Sequence, residues 1–183
     1  MRTITTEGII IKRKNIGEAD KILTLFTKQF GKMQVKAPGV RKIASRRSPH
    51  VELLNRSLLT IYISGSLPLV TEALMLDNFH MVKVHLEKIG YAYHMCEIID
   101  GLLPENEQND DVYLLFVSNL KKLCLSETPS VLIRDFEFSL LELLGFSTNT
   151  MRKREYFNVH AYIESLLEKK LKSKDIFLHK TTI

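Results

Sequence analysis

The chain has 183 residues, 45% of them hydrophobic and 26% charged, an ordinary globular balance that excludes wholesale disorder. The net charge of +5 is unevenly spread: residues 1–80 carry 13 Lys and Arg against 6 Asp and Glu, whereas residues 81–183 carry 13 against 15. A polyanion is therefore expected on the first half, and no apolar run reaches the ~18–20 residues of a membrane span.

Residues 1–77 read as strands. ITTEGIIIKRK, DKILTLFT, GKMQVKAP, VELLNRSLLTIYIS and LVTEALMLD are rich in Ile, Leu, Val and Thr, and most alternate at least in part. Turn residues separate them: Asn15-Ile16-Gly17, Gly31, Pro38-Gly39, Gly65-Ser66 and Pro68. Five short strands with tight turns suit a small barrel, either a five-stranded OB-fold or an SH3-like barrel. Between the third and fourth strands runs GVRKIASRRSP, with Arg41, Lys42, Arg46 and Arg47 and no acid. It is expected to be a flexible cationic loop, following a strand that places Lys32 and Lys36 on one face. Such a surface neutralises phosphates and releases counterions without contacting bases.

After Asn78 the spacing becomes helical, so the expected domains are 1–78 and 79–183. One helix is expected over about Met81–Leu103, with Val82, Leu86, Ile89, Tyr93, Cys96 and Ile99 inward. It stops at Pro104, and ENEQNDD makes an acidic loop. A second helix spans about Asp111–Leu125. Thr128 and Pro129 start a third, which Gly145 ends, and Asn158 caps a fourth reaching about Leu171.

Catalytic and metal motifs are missing from the sequence. It contains no Walker loop, GxGxxG, GxSxG, HExxH or EF-hand pattern. His50, His80, His85, His94, His160 and His179 have no standard ligand spacing, and Cys96 and Cys124 form no CxxC, so no metal site and no cofactor are expected. Glu18 and Asp20 form a compact acidic pair, but in the turn NIGEAD their expected work is hydrogen bonding to backbone N–H and neutralising Arg13, Lys14 and Lys21. The chain is expected not to be an enzyme. Phe26, Phe30, Tyr62 and Phe79 are candidate base-stacking residues whose competing role is core filling. With few thiols and no signal-peptide h-region at MRTITTEG, a reducing cytoplasm is the expected compartment.

The run TEGIIIKRKNIGEADKILTLFTKQFGKMQVKAPGVRK, followed by SRR of ASRRSP and then VELL, resembles the start of the RecO DNA repair and recombination proteins. FEFSLLELLGF and VHAYIESLLEKKLKSKDIF are similar to that family's helical domain and closing helix, and GEADKILTLFT followed by GK is the most specific part. The resemblance implies an α+β chain with an N-terminal OB-fold and a C-terminal all-α domain. It implies a recombination mediator that binds single- and double-stranded DNA, anneals complementary strands and helps a recombinase displace single-stranded-DNA-binding protein. The implied partners are DNA, RecR and the acidic C-terminal tail of single-stranded-DNA-binding protein, in the bacterial cytoplasm at the nucleoid. Carried over by position, the DNA contacts fall on Lys12, Arg13, Lys14, Lys32, Lys36, Arg41, Lys42, Arg46 and Arg47. Many family members have a four-cysteine zinc module where this chain reads STNTMRKREYFNVHAYIE, so the resemblance implies no zinc there; Arg152, Lys153 and Arg154 make a small basic patch instead. Lys121 and Lys122 are candidates to meet an acidic peptide tail.

Two rival functions fit the same residues. A non-catalytic protein-interaction adaptor would turn its basic barrel face to an acidic protein. A nuclease would need a carboxylate or His cluster beside that face.

Overall fold

Alternating apolar residues build five strands in the first 77 residues of the computed structural model, which describes residues 2–63, 65, 67–146 and 157–173. They are β1 (Arg2–Ile16), β2 (Asp20–Thr27), β3 (Gly31–Ala37), β4 (Arg56–Ile63) and β5 (Leu69–Asp77). The order β1-β2-β3-β5-β4 closes on itself, with antiparallel ladders except for one parallel pairing, Lys36 with Leu69. This is the OB-fold barrel, and closure leaves no long open edge. Ile4, Ile10, Leu23, Leu25, Met33, Val35, Leu59, Ile61 and Val70 fill it. Val40 and Val51, from either end of the cationic loop, are buried in the same core.

The fourth strand starts later than its apolar content predicts. Ser48–Val51 is a 3-10 turn and Leu54 has a left-handed backbone, φ 67°. Leu54 N–H donates to Ile10 O at 2.9 Å, and Ile10 N–H donates to Asn55 O at 3.1 Å. Residues 51–55 therefore brace the start of the β1 bulge instead of extending β4.

By contact, the barrel unit comprises residues up to Asn78 together with Leu103–Asp110. This segment includes part of the stretch expected to be a solvated acidic loop. Here it packs along β3: Asn106 N–H donates to Lys32 O at 2.7 Å, and Gln34 Nε2 donates to Glu105 Oε1 at 2.8 Å.

The second unit, Phe79–Leu102 with residues from Asp111 onward, is helical: α1 (His80–Lys83), α2 (Leu86–Leu102), α3 (Asp110–Leu125), α4 (Pro129–Leu143) and α5 (Val159–Leu167). The single first helix expected from the sequence is broken at Val84 and His85. Beyond the break Leu86 is 85% exposed and Tyr93 37% exposed, whereas Cys96 and Ile99 are buried as expected, with Ala92, His94, Met95 and Ile98 beside them. α4 ends as its glycine predicts. Gly145 has φ 77°, its N–H donates to Glu142 O at 3.1 Å, and Phe146 N–H donates to Leu141 O at 2.8 Å, a Schellman closure. Asn158 caps α5 by accepting from Ala161 N–H at 3.0 Å. That helix stops at Leu167, short of Leu171, because Glu168 turns left-handed at φ 53°.

Two glycines separate backbone strain from packing. Gly17 (φ 54°) has open space where a Cβ would stand, whereas at Gly31 (φ 63°) a Cβ would overlap the Glu107 carbonyl. Gly17→Ala should therefore cost about 1–2 kcal/mol, the left-handed penalty alone. Gly31→Ala should cost more, because backbone must also move, and chemical denaturation of the two variants measures the difference.

Candidate nucleic-acid interface

The cationic region is built from a ribbon and a pinned loop. β1 pairs with β4 only as far as Ile9, then passes a bulge between Ile10 and Lys12 and continues paired with β2 to Ile16. The β1–β2 ribbon thus outruns β4, and Lys12, Arg13 and Lys14 are exposed. Arg13 stands opposite Leu23, and Lys21 is two residues before it, so both lie on the side that buries Leu23 and Leu25 farther along. Past the core those positions open to solvent and carry cations instead of apolar groups.

The loop after β3 is tied to the tip of this ribbon. Asp20 Oδ1 accepts from Gly39 N–H at 2.8 Å, and its Oδ2 lies 2.9 Å from Lys36 Nζ. The Gly39 N–H, then Lys36, hold the Asp20 carboxyl below its ordinary range. Arg41 N–H donates to Ala19 O and the Arg41 guanidinium to Gly17 O, both at 2.9 Å. The Arg47 guanidinium donates to Pro38 O at 2.6 Å, to Val70 O, and to Thr71 O at 3.5 Å. With Val40 and Val51 buried as well, the segment expected to be flexible is anchored at both ends.

This anchoring sets Arg41 beside Arg13 and Lys21 around an open cavity of about 500 Å³, also lined by Asn15, Val40 and Ser48. Burial, then the charges of Arg13 and Arg41, push the Lys21 ammonium below its ordinary value. One carboxylate partly offsets them: Glu52 pairs with Arg13 and, at 3.1 Å, with Lys21. Three cations facing one acid form a site that an entering anion relieves electrostatically.

The nine candidate contacts separate by environment. Arg13 and Arg41 line the cavity, Lys42 and Arg46 are exposed on the loop, Lys12 and Lys14 are exposed on the face of β1 opposite Arg13, and Lys36 is half-exposed in its pair with Asp20. Two candidates need correction. Lys32 is only 7% exposed, because the Leu103–Asp110 segment lies along its strand, so it cannot face a solvated polyanion. Arg47 is committed to main-chain carbonyls and acts as a fastener of the loop. Lys21, read from the sequence as a locally neutralised turn residue, lines the cavity, and Glu52, which the sequence did not single out, pairs with it; their signal was only position, Lys21 two residues before the buried Leu23 and Glu52 the first acid after the basic run.

Other candidates sort as follows. Phe26 and Phe79 are buried, while Phe30 and Tyr62 are half-buried. Asp20 serves the loop, as its turn position predicts, and Glu18 is exposed. Arg152, Lys153, Arg154, His179 and Ser66 lie outside the described residues. In the helical unit, His94, Glu137 and His160 come together from three helices, a cluster with no spacing signal in the sequence.

Residues 1–79 match the family model for the recombination protein O N terminal, and residues 84–154 the model for its C terminal. Over 145 residues, 79% of this chain, it is 35% identical to the DNA repair protein RecO of Roseiflexus sp. (strain RS-1), covering 51% of that protein. It is 31% identical over 147 residues to that of Symbiobacterium thermophilum, covering 80% of this chain and 58% of the relative. It is 30% identical over 139 residues to that of Listeria monocytogenes serotype 4b, covering 76% and 54%. The chain thus spans between half and three-fifths of these relatives' lengths.

The adjacent arginines of the loop should behave differently. Arg47→Ala removes charge-assisted bonds worth about 1.5–3 kcal/mol each and should destabilise the fold by about 2–3 kcal/mol. Arg46→Ala should stay within about ±0.5 kcal/mol. Urea unfolding of the two variants checks the contrast.

Proposed function

This chain belongs to the RecO family of DNA repair proteins, and on that premise we propose that its barrel grips the sugar-phosphate backbone of DNA without reading sequence. The observation that carries this reading is the convergence of Arg13, Lys21 and Arg41 on one open cavity between the ribbon and the pinned loop. Lys42 and Arg46 on the loop, and Lys12, Lys14 and Lys36 on the other face of the same strands, are further cations available to a polyanion longer than the cavity. Few aromatic side chains are exposed on the barrel, so phosphate neutralisation outweighs base stacking, and single and double strands both bind.

Neutralising two strands at once lowers their mutual repulsion, so annealing of complementary strands needs proximity and charge compensation and no covalent step. The protein acts as a non-enzymatic mediator in the bacterial cytoplasm, at the nucleoid. By extension from the family it assists recombinase loading and works with RecR and with the acidic tail of single-stranded-DNA-binding protein, for which Lys121 and Lys122, exposed on α3, are available cations.

If about five phosphates are contacted, the log–log salt slope for a single-stranded oligonucleotide should be about −3.5, at ~0.7 per phosphate. The triple variant Arg41→Ala, Lys42→Ala, Arg46→Ala should keep its fold and bring the slope to about −1.4 as roughly three contacts are lost. Fluorescence anisotropy across a chloride series reads both. An unchanged slope and affinity in the variant would exclude the loop, and salt-insensitive or absent binding by the unmodified chain would favour an adaptor for an acidic protein.

A further inference from the structure

The helical unit contains a buried polar cluster that DNA binding does not use. His94 on α2, Glu137 on α4 and His160 on α5 each point one ligand-type atom at a common space, all within 4.8 Å of one another. His94 Nε2 lies 2.8 Å from Glu137 Oε1, and His160 Nδ1 lies 3.5 Å from that same oxygen. We propose that these three atoms bind a divalent transition-metal ion, with Zn²⁺ the best fit, and that the ion fastens α2, α4 and α5 together.

The spacing suits such an ion. Metal–ligand bonds of about 2.0–2.1 Å in a tetrahedron set neighbouring donors roughly 3.3–3.4 Å apart. The two measured separations bracket that value; the His94 and His160 rings stack with centroids 5.1 Å apart and planes 19° from parallel, so one imidazole turns out of the stack for both to reach one ion. Two imidazoles with one carboxylate select zinc or a similar ion over magnesium or calcium, which require oxygen-rich shells.

The surroundings also match what metal-bound imidazoles need. A ligating histidine uses its second nitrogen as a donor to an outer partner, which fixes ring and tautomer. His94 Nδ1 has Ser173 Oγ at 2.7 Å. His160 Nε2 is a buried atom that makes no hydrogen bond and lies 3.8 Å from Glu164 Oε1. Without an ion His94 Nε2 donates to the Glu137 carboxylate; an entering cation displaces that proton, and His94 then donates from Nδ1 to Ser173 Oγ.

Charge and access point the same way. Glu137 is 4% exposed, and a carboxylate at such depth requires donors or positive charge around it. The His160 side chain is 23% exposed, leaving a way in for the ion and room for a water as fourth ligand. Glu97 on α2 accepts from the N–H groups of Lys172 and Ser173 at 2.9 and 3.0 Å, which holds Ser173 beside His94.

The test uses the full, tag-free chain stripped with a chelator and then dialysed against Zn²⁺ or Mg²⁺. One zinc per chain by elemental analysis is expected, with a thermal midpoint raised several degrees by Zn²⁺ and unmoved by Mg²⁺. Co²⁺ in place of zinc should give the intense visible bands of a tetrahedral site. His160→Gln, at a partly exposed position, and the near-isosteric Glu137→Gln should each weaken zinc binding at least 100-fold while circular dichroism stays helical. No zinc retained by the unmodified chain overturns the proposal and leaves the cluster as a shared-proton network. Zinc retained equally by both variants also overturns it, since the ion then sits on other histidines.

Discussion

Arg47 is where the cationic loop is fastened. Its guanidinium spends its donors on the carbonyls of Pro38, Val70 and Thr71, joining the end of β3 to β5 where the barrel closes through a single parallel pairing. A main-chain carbonyl at such a seam needs a hydrogen-bond donor. A planar, permanently charged fork supplies it, which a lysine could not do with the same geometry. Because this end of the loop is held, and Asp20 holds the other through Gly39 N–H, Arg41 is kept at the ribbon tip beside Arg13 and Lys21. Like charges do not gather spontaneously. The fold supplies the constraint, and the resulting potential is what the proposed function draws on.

Much of the fold was legible in the sequence where local chemistry decides it. β2 and β5 coincide with DKILTLFT and LVTEALMLD, because turn residues bound each run. Asn158 and Gly145 marked helix ends, since capping depends on neighbours only a few residues away. Errors arose where distant contacts rule. VELLN has strand-like content, but Val51 plugs the barrel and Leu54 bonds back to Ile10, far earlier in the chain. Of the first helix's expected stripe Val82, Cys96 and Ile99 are buried, whereas Leu86 and Tyr93 are not, the chain being broken between Lys83 and Leu86.

The candidate site divides in the same way. Net charge pointed to the region where Arg13, Lys21 and Arg41 gather, but charge alone could not distinguish Arg46 from Arg47, two identical neighbours of which one faces water and one faces carbonyls. Lys32 was misplaced because the segment covering its strand comes some 70 residues later. Lys21 was overlooked because EADK reads as a locally neutralised turn, whereas its carboxylate partner is Glu52 and Asp20 serves Gly39 and Lys36. The cluster of His94, Glu137 and His160 was invisible for the same reason, each residue coming from a different helix.

Hydrogen–deuterium exchange of the full chain, with and without a single-stranded oligonucleotide at low salt, tests the central claim most directly. Slower exchange should appear together in the ribbon, residues 12–21, and in the loop, residues 39–48, and should fade as salt is added. Protection confined to the helical segments, with ribbon and loop unchanged, would contradict the account.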